Sequence, residues 1–497
     1  MNILLVYPEY PDTFWSFKHA LKFVSKRAAN PPLGLLTVAS LLPADWNKKL
    51  TDLNVERLKP KDIIWADMIF ISAMSVQYNS AREIVQLCKS MGKTIVAGGP
   101  LFTEDYERFD DIDYLVLNEG EITLPRFLAD LGKGSPDHIY ETSEFAEMNE
   151  SPAPDYSLIK FSKYSSLNIQ YSRGCPFNCE FCDITALFGH RVRTKSPAQI
   201  LHELDGMYNL GWRGDIFFVD DNFIGKKAEL KKLILPELTD WMKRHNNPFT
   251  FSTQASVNLA DDTELMNMMT EAGFSTVFVG IETPEDSSLE ECGKVQNRNR
   301  DLVTSVKTIQ KNGMEVLGGF IVGFDSDSPN IFRQQINFIR ESTIVSAMIG
   351  LLNAPAKSQL YQRLKKEGRI LNKMSGDNTD ATMNFIPKMN KDTLIAGYHQ
   401  LIRGIYEGKP FYQRVRMFLS DFNPKVKNRT KVTYTKIKAL LKSMLVIGIL
   451  DDSRRYYWSL FFWSLFKKPR LFPLAITYSI YGYHYRRVFR KMNCFND

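Results

Sequence analysis

Short apolar runs, separated by stretches with helical periodicity, organise the first part of the chain. The runs lie at residues 3–7, 69–73, 94–97 and 114–117, and helical patterns such as 81–90 lie between several of them. Strands that alternate with helices are typical of a parallel sheet covered on both faces. Gly98 and Gly99 directly follow the third run, at the edge where an open α/β sheet places its ligand loops. The pattern therefore predicts a Rossmann-like domain over residues 1–135.

A second series of apolar runs follows an acidic, proline-bearing stretch, which predicts a linker over residues 136–160. The runs lie at residues 167–171, 215–219, 250–255, 276–281, 316–322 and 347–352. Six strands with helices between them predict a partial (βα)6 barrel over residues 161–370, rather than a closed eightfold barrel. Beyond this point the alternation stops. We therefore predict an α/β protein with a mainly helical C-terminal domain over residues 371–497.

Composition and charge narrow the class of protein. The 497 residues are too many for one core, and 44% hydrophobic and 24% charged residues are typical of a globular protein. The net charge of +7 is a mild basic excess whose position matters more than its size. Six cysteines in so long a chain do not form a secreted disulfide framework, and the N-terminus has the pattern of a strand rather than a signal peptide. These features predict a reducing, cytoplasmic location.

Three cysteines crowd into eight residues directly after the first barrel strand. Cys175, Cys179 and Cys182 have the spacing C-x3-C-x2-C, and three thiolates on one short loop can hold three irons of a [4Fe–4S] cluster. The fourth iron then stays open to a substrate, which makes such a site catalytic. Phe181, just before the last cysteine, would shield the cluster.

Other interpretations of the cysteine loop remain open. Zinc normally takes four ligands, and His190 could be the fourth, so a structural zinc site is one alternative. A chance grouping of buried cysteines is another, and a non-catalytic iron–sulfur or zinc module that regulates or scaffolds is a third. The spacing and the strand–loop context together favour the cluster. The isolated residues His19 and Cys88 are interpreted as structural.

The loop and the strands after it resemble the radical S-adenosylmethionine superfamily. Polar residues and glycines end the later strands in the order that this superfamily shows, at 220–222, 253–254, 279–284 and 318–323. The resemblance implies a [4Fe–4S] cluster on the three cysteines as the catalytic and metal site. It also implies that S-adenosylmethionine contacts Phe181, Asp220, Asp221, Asn222, Gln254, Glu282 and Gly323.

The N-terminal domain is similar to that of the cobalamin-binding class of these enzymes. Asn30 to Leu35, Gly98 to Pro100 and Asn118 to Glu121 carry the similarity. It implies cobalamin contacts at Ser72, Ser75, Gly98, Gly99, Glu119 and Gly120. The D-x-H-x-x-G motif of better-known cobalamin proteins is absent, so cobalamin would bind without a histidine from that motif. The alternative is a degenerate Rossmann domain that binds nothing.

Within this class the motifs resemble those of the bacterial hopanoid methylases and their relatives. The segments at 169–175, 182–184, 219–225 and 278–284 carry this resemblance, while 355–361 departs from the family pattern. The resemblance implies methylation of an unactivated carbon in a hydrophobic, isoprenoid or lipid-like substrate. It implies S-adenosylmethionine cleavage to a 5′-deoxyadenosyl radical, methyl transfer from cobalamin, and an electron donor such as flavodoxin or ferredoxin. Ring formation, C–C bond formation or rearrangement is the alternative outcome.

The last fifty residues are aromatic and basic. Apolar runs at 456–466 and 471–485 are too short to span a bilayer, and lysine and arginine flank both. Aromatic residues beside basic ones suit a membrane interface, which predicts peripheral contact through Trp458, Phe461, Phe462 and Trp463 at the inner face of the membrane. The alternative is that the aromatic residues form a domain core. Nucleic-acid binding is not favoured, because stacking platforms use separated aromatics on a sheet or groove.

Overall fold

The computed structural model describes residues 1–426, 433–492 and 494–495. Two six-stranded parallel sheets lie at its centre, which confirms the predicted α/β class. The strands are β1 (Asn2–Tyr7), β2 (Asn47–Asp52), β3 (Met68–Ser72), β4 (Thr94–Gly98), β5 (Tyr114–Val116), β6 (Ile139–Tyr140), β7 (Ser166–Ile169), β8 (Ser172–Arg173), β9 (Arg193–Thr194), β10 (Asp215–Phe218), β11 (Thr250–Gln254), β12 (Phe274–Glu282), β13 (Glu315–Val322) and β14 (Ala347–Leu351).

Helices surround both sheets and form the C-terminal part. They are α1 (Lys18–Leu21), α2 (Leu33–Leu41), α3 (Pro60–Trp65), α4 (Tyr78–Ser90), α5 (Pro100–Asp105), α6 (Gly120–Lys133), α7 (Ile184–Phe188), α8 (Pro197–Asn209), α9 (Lys227–Glu229), α10 (Leu235–Arg244), α11 (Thr263–Ala272), α12 (Asp286–Glu291), α13 (Leu302–Lys311), α14 (Ile331–Glu341), α15 (Gln359–Lys366), α16 (Lys391–Tyr406), α17 (Gly408–Asp421), α18 (Tyr434–Leu445), α19 (Arg454–Lys467) and α20 (Phe472–Lys491). A π-helical turn, Val446–Leu450, continues α18.

The first sheet has the strand order β2-β1-β3-β4-β5-β6 and is parallel throughout. Along β1, Leu4 and Val6 enter one hydrophobic core, whereas Ile3 and Leu5 enter another on the opposite face. This burial on both faces explains why the strands read as continuous apolar runs. The strand order reverses at β1, which is the position where open α/β sheets form a ligand crevice.

Two strands of this sheet, β2 and β6, lack the continuous apolar pattern because they lie at its edges. In β2 the sequence Asn47–Asp52 leaves positions 47 and 49 exposed, and lysines are common on edge strands because they discourage pairing with other chains. At the other edge, β6 has only two residues. The sheet therefore has two strands more than the four predicted runs.

The second sheet has the order β7-β10-β11-β12-β13-β14, in which each strand is parallel to the next along the chain. This confirms the predicted partial (βα)6 barrel. The short strands β8 and β9 form an antiparallel pair that joins Ser172 to Thr194 and Arg173 to Arg193. The cysteine loop therefore lies between two paired strands whose ends are held together.

Helices of the C-terminal part cover β14, the edge strand of the barrel. From α16, the Tyr398 hydroxyl donates to the Ile349 carbonyl at 3.1 Å, and the Tyr406 hydroxyl contacts both the N–H and the carbonyl of Ala347. Backbone groups of a strand edge that would otherwise be unpaired are thus satisfied. Among the described residues, no helix combines the length and the apolar character that crossing a bilayer requires.

Candidate active site

The three cysteine thiols are free and partly buried, and they converge on one ammonium group. Lys294 lies close enough to lower the pKa of all three thiols, although burial, the larger effect, raises each pKa overall, to about 12 for Cys182. Protonated thiols of this kind release their protons when iron binds.

The spacing of the sulfur atoms separates the two metal alternatives. In the described part of the chain, these three sulfurs do not all lie within 4.8 Å of one another. Ligands of tetrahedral zinc, with Zn–S distances of about 2.3 Å, lie about 3.8 Å apart. The thiolates of a cubane bind different corners and stand further apart. His190 is exposed. The donor set therefore fits a [4Fe–4S] cluster better than zinc.

Glu180, between the second and third cysteines, holds the loop in place. Its carboxylate accepts two hydrogen bonds from Arg363, at 2.6 and 3.0 Å, and its carbonyl accepts from the N–H of Leu360 at 2.9 Å. Its own N–H donates to the Cys292 carbonyl. Bidentate pairs between arginine and carboxylate fix orientation as well as distance. The segment at 355–361, which departs from the family pattern, thus leads into α15, the helix whose Arg363 holds the cysteine loop.

A buried ion pair lies beside the thiols. Lys294 Nζ is 2.6 Å from Glu282 Oε1, and both side chains are about 90% buried. Burial lowers the pKa of Lys294, but Glu282 and the Cys179 thiol more than offset this and the pKa is raised. A Cβ atom at Gly280 would clash with Glu282 Oε1 and lie 2.8 Å from Lys294 Nζ, so glycine leaves room for the pair. Sequence reasoning found Glu282 but missed Lys294.

Two of the predicted S-adenosylmethionine contacts are engaged with the protein itself. Asp220 is fully buried and accepts hydrogen bonds from the Tyr171 N–H and from both the N–H and the hydroxyl of Ser172. Asn222 accepts from the N–H of Ser256 at 3.1 Å. These hydrogen bonds tie strand ends together, and contact of either side chain with S-adenosylmethionine stays a prediction.

The remaining predicted contacts differ in their surroundings. Asp221 is partly exposed, accepts from the N–H of Gly174 at 3.2 Å, and has a pKa that burial raises to about 6. Gln254 is partly exposed at the end of β11. The Phe181 ring meets Phe324 edge-on at 6.2 Å. Gly323 has a φ of 106°, and a Cβ atom there would lie 3.4 Å from the side chains of Leu394 and Met383 in the C-terminal part.

A cavity of about 690 Å³ lies between the carboxyl edge of the first sheet and the barrel. Five of the predicted cobalamin contacts line it, namely Ser72, Gly98, Gly99, Glu119 and Gly120. The barrel contributes Gln170, Phe217 and Val219. Ser75 lies outside this lining, its hydroxyl donates to Glu104 at 3.1 Å, and its contact with cobalamin stays a prediction.

Two glycines allow close backbone packing where the first sheet borders the cavity. Gly99 has a φ of 87°, and a Cβ atom there would clash with Ser72 Oγ. At Gly98 a Cβ atom would lie 2.5 Å from the Val116 carbonyl oxygen. Glycine permits both the backbone conformation and the close approach. The cradle that these residues form fits a large planar cofactor lying against the backbone.

Glu119 lines the cavity but its carboxylate is already paired. Arg193 binds both of its oxygens, at 2.6 and 2.8 Å, and Arg173 binds one at 3.1 Å. Arg173 also pairs with Glu121 at 2.7 Å. Since both arginines lie on the strands around the cysteine loop, this network joins the first domain to the cluster site. Sequence reasoning missed both arginines, because their partners are distant in the chain.

Three known families match successive parts of the chain. The B12 binding domain matches residues 27–128, the radical SAM superfamily matches 169–339, and a domain of unknown function (DUF4070) matches 358–494. An uncharacterized methyltransferase of Synechocystis is 40% identical over 99% of this chain and 93% of its own length. The hopanoid C-2 methylase of Rhodopseudomonas palustris is 33% identical over 92% of this chain and 88% of its own.

Solved structures share the whole fold. The cobalamin-dependent S-adenosylmethionine radical enzyme OxsB has a TM-score of 0.62 at 17% identity, covering 99% of this chain and 79% of its own. The radical S-adenosylmethionine methyltransferase TsrM from Kitasatospora setae has a TM-score of 0.61 at 12% identity, covering 99% of both chains. The fold and the site together define an enzyme in which a cobalamin-binding domain is joined to a radical S-adenosylmethionine barrel.

The chain belongs to the cobalamin-binding radical S-adenosylmethionine enzymes, in the family that includes the hopanoid C-2 methylase. Its cofactors are a [4Fe–4S] cluster, S-adenosylmethionine and cobalamin.

Proposed function

We propose that this enzyme methylates an unactivated carbon of a hydrophobic, isoprenoid or lipid-like substrate, with its cluster on Cys175, Cys179 and Cys182. The observation that carries the proposal is the shared cavity, which opens both to the glycine loop of the first sheet and to the barrel. The hopanoid C-2 methylase, at 33% identity, supports the substrate class.

The residues of the site serve positioning and shielding. When bound, the cluster and S-adenosylmethionine supply a radical that removes hydrogen, and cobalamin supplies the methyl group. The three thiols would hold three irons, and Lys294 would place one positive charge beside them. Trp15, Phe217 and Val219 give the cavity an apolar wall, which keeps water from reactive species.

Cluster assignment is tested by single substitutions. Cys175→Ala, Cys179→Ala and Cys182→Ala should each abolish formation of 5′-deoxyadenosine in the anaerobically reconstituted enzyme. Cys88→Ala and Cys494→Ala are the matched controls, because both side chains are buried thiols outside the loop, and they should retain it. A variant of the trio with an intact cluster and full cleavage would overturn the assignment.

Substrate class and reaction are tested by the product. With S-adenosylmethionine carrying a deuterated methyl group, incubation with candidate isoprenoid lipids should give a product heavier by one labelled methyl. A product without the label would instead support ring formation or rearrangement. Labelled product from polar acceptors alone would contradict the hydrophobic substrate.

Access to a lipid substrate is supported by an exposed apolar surface, here called the apolar ridge. It comprises Ile437, Leu441, Leu445, Ile449, Leu450, Phe462 and Phe466, whose exposed fractions lie between 46% and 74%. Trp458 bridges its two helices, because its Nε1 donates to the Gly448 carbonyl and its ring stacks on Phe462. Exposed basic residues lie on the same helices and the turn that follows them, namely Lys436, Lys438, Arg454, Arg455, Lys467 and Arg470. We propose that this ridge contacts an anionic membrane surface.

We propose the apolar ridge as the membrane contact in place of the four aromatic residues named from the sequence. Of these four only Phe462 is exposed, and residues 472–485 of the second apolar run lie in α20, where Tyr478 and Tyr485 are buried. Each basic residue near an anionic surface contributes roughly 1 kcal/mol. Leu450→Ser with Phe466→Ser should therefore reduce flotation with anionic liposomes, whereas Ile64→Ser, an exposed residue of the first domain, should not. Equal flotation of all variants would contradict the ridge.

A further inference from the structure

A second group of metal-ligating side chains lies away from the cysteine loop. Asp12 and His19 belong to the N-terminal segment, and His484 belongs to α20. One ligand atom from each of the three lies within 4.8 Å of the other two. His19 Nε2 is 2.8 Å from Asp12 Oδ2, and the two histidine rings are 5.6 Å apart between centroids.

His484 is buried with one ring nitrogen unpaired. Its Nε2 lies 3.0 Å from the Phe14 carbonyl oxygen. Because a carbonyl only accepts, Nε2 carries the hydrogen and Nδ1 is left with a lone pair. The His484 side chain is fully buried, and Nδ1 has no partner among the described residues. Asp12 Oδ1 is also buried without a donor there. A cation is a partner that would satisfy both buried lone pairs at once.

We propose that Asp12, His19 and His484 bind a divalent transition metal, with zinc as the ion that fits the ligands. Imidazole nitrogen and carboxylate oxygen bind zinc at about 2.0–2.2 Å, and three protein ligands leave one position for water. Metal-binding histidines commonly donate their other N–H to a backbone carbonyl, as His484 does to Phe14. Asp12 and His19 would separate by a few tenths of an ångström.

Lys491 is the competitor for this site. Its ammonium pairs with Asp12, but its side chain is 60% exposed and can turn into solvent when a metal binds. The metal would then tie the start of the chain to its last helix. Since Thr13, Trp15 and Ser16, which follow Asp12, line the large cavity, this site would fix one wall of the cofactor cavity.

Zinc binding to the full-length enzyme tests the proposal. After dialysis against a chelator and addition of zinc chloride, the anaerobic protein should retain one zinc per chain by elemental analysis. Asp12→Asn and His484→Gln should lose it. His190→Ala, beside the cysteine loop, is the matched histidine control and should keep it. The combined Cys175→Ala, Cys179→Ala and Cys182→Ala variant should also keep it.

A second measurement guards against loss of folding in the His484 variant. Zinc should raise the unfolding midpoint of the wild-type protein but not that of Asp12→Asn. This variant is chosen because asparagine has nearly the same size and shape as aspartate. The proposal is overturned if wild-type protein retains no zinc, if Asp12→Asn retains as much as wild type, or if zinc disappears with the three cysteines.

Discussion

The two edges that meet at the cavity are built differently. At the first sheet, Gly98, Gly99 and Ser72 present backbone and small side chains, without a charge. At the barrel, Asp220 and Glu282 bring buried carboxylates whose partners are already within the protein. The glycine loop of the first edge therefore provides space, and the Lys294–Glu282 pair of the second provides charges in fixed positions. Substitutions that change volume should act mainly on the first edge, and those that change charge mainly on the second.

The largest effect should follow from breaking the charge pair at the barrel edge. Lys294→Met leaves Glu282 buried and without its partner, which typically costs about 3–5 kcal/mol of the free energy of unfolding. Denaturant unfolding under anaerobic conditions measures this loss. Binding of S-adenosylmethionine should weaken as well, because Glu282 and the thiols lose the charge that they face.

Two further variants separate burial from charge. Lys231→Met removes a lysine that pairs with Glu264, which is 72% exposed, and with Asp262, which is 21% exposed. Because these partners stay in contact with water, the change should alter stability by about 1 kcal/mol or less. Lys294→Met combined with Glu282→Gln removes both charges and should recover much of the stability but not the binding of S-adenosylmethionine. Equal losses for Lys294→Met and Lys231→Met would show that the barrel edge does not depend on its buried pair.

A smaller effect concerns pH. Burial, only partly offset by the bonds from Ser172, raises the pKa of Asp220 to about 7. The folded state thus holds this proton more tightly than the unfolded state, whose carboxyl titrates near 3.8. The contribution of this proton to the free energy of unfolding is fully present below about pH 4, and it is lost as the pH rises towards 7. The wild-type free energy of unfolding should therefore fall between pH 5 and 8, by on the order of 1–3 kcal/mol from this group.

The comparison of variants isolates this carboxyl group from others that titrate nearby. Asp220→Asn should show a flatter dependence than wild type over pH 5–8. Asp301→Asn should follow the wild-type slope, because hydrogen bonds from Thr304 lower the pKa of Asp301 and it is ionised throughout. Parallel curves for wild type and Asp220→Asn would mean that Asp220 stays ionised in the folded protein.

The sequence predicted those elements whose signal is local. Central strands are apolar on both faces, so the runs at 3–7 and 69–73 could be recognised, whereas β2 has an edge pattern with exposed lysine. The cysteine loop was recognisable because its three thiols lie within eight residues. The domain boundaries and the ligand assignments stay predictions.

Residues whose role depends on distant partners could not be predicted. Arg193 pairs with Glu119 across 74 residues, and His484 meets Phe14 across 470. Asp220 was predicted as a ligand contact from its position at a strand end, and that contact stays a prediction. Its oxygens also accept hydrogen bonds from the Tyr171 and Ser172 N–H groups after β7, which only the packed barrel reveals. Sequence thus located the site but not which of its polar groups remain available.

The smallest effect is expected from a comparison of two glycines with positive φ, which is also the sharpest test of the first edge. Gly99→Ala would place a methyl group against Ser72 Oγ, whereas Gly92→Ala at φ 68° meets nothing within 4 Å. Gly92→Ala should cost about 1 kcal/mol through backbone strain, whereas Gly99→Ala should cost about 1–3 kcal/mol, because its ψ of 179° lies in a region essentially confined to glycine. Only Gly99→Ala should weaken corrin binding, by about tenfold if steric loss reaches 1.4 kcal/mol. Titration with hydroxocobalamin measures this difference. Ser72→Gly in the Gly99→Ala background removes the clash and should recover part of the affinity. If both alanine variants bind corrin like wild type, the edge of the first sheet does not provide the space for it.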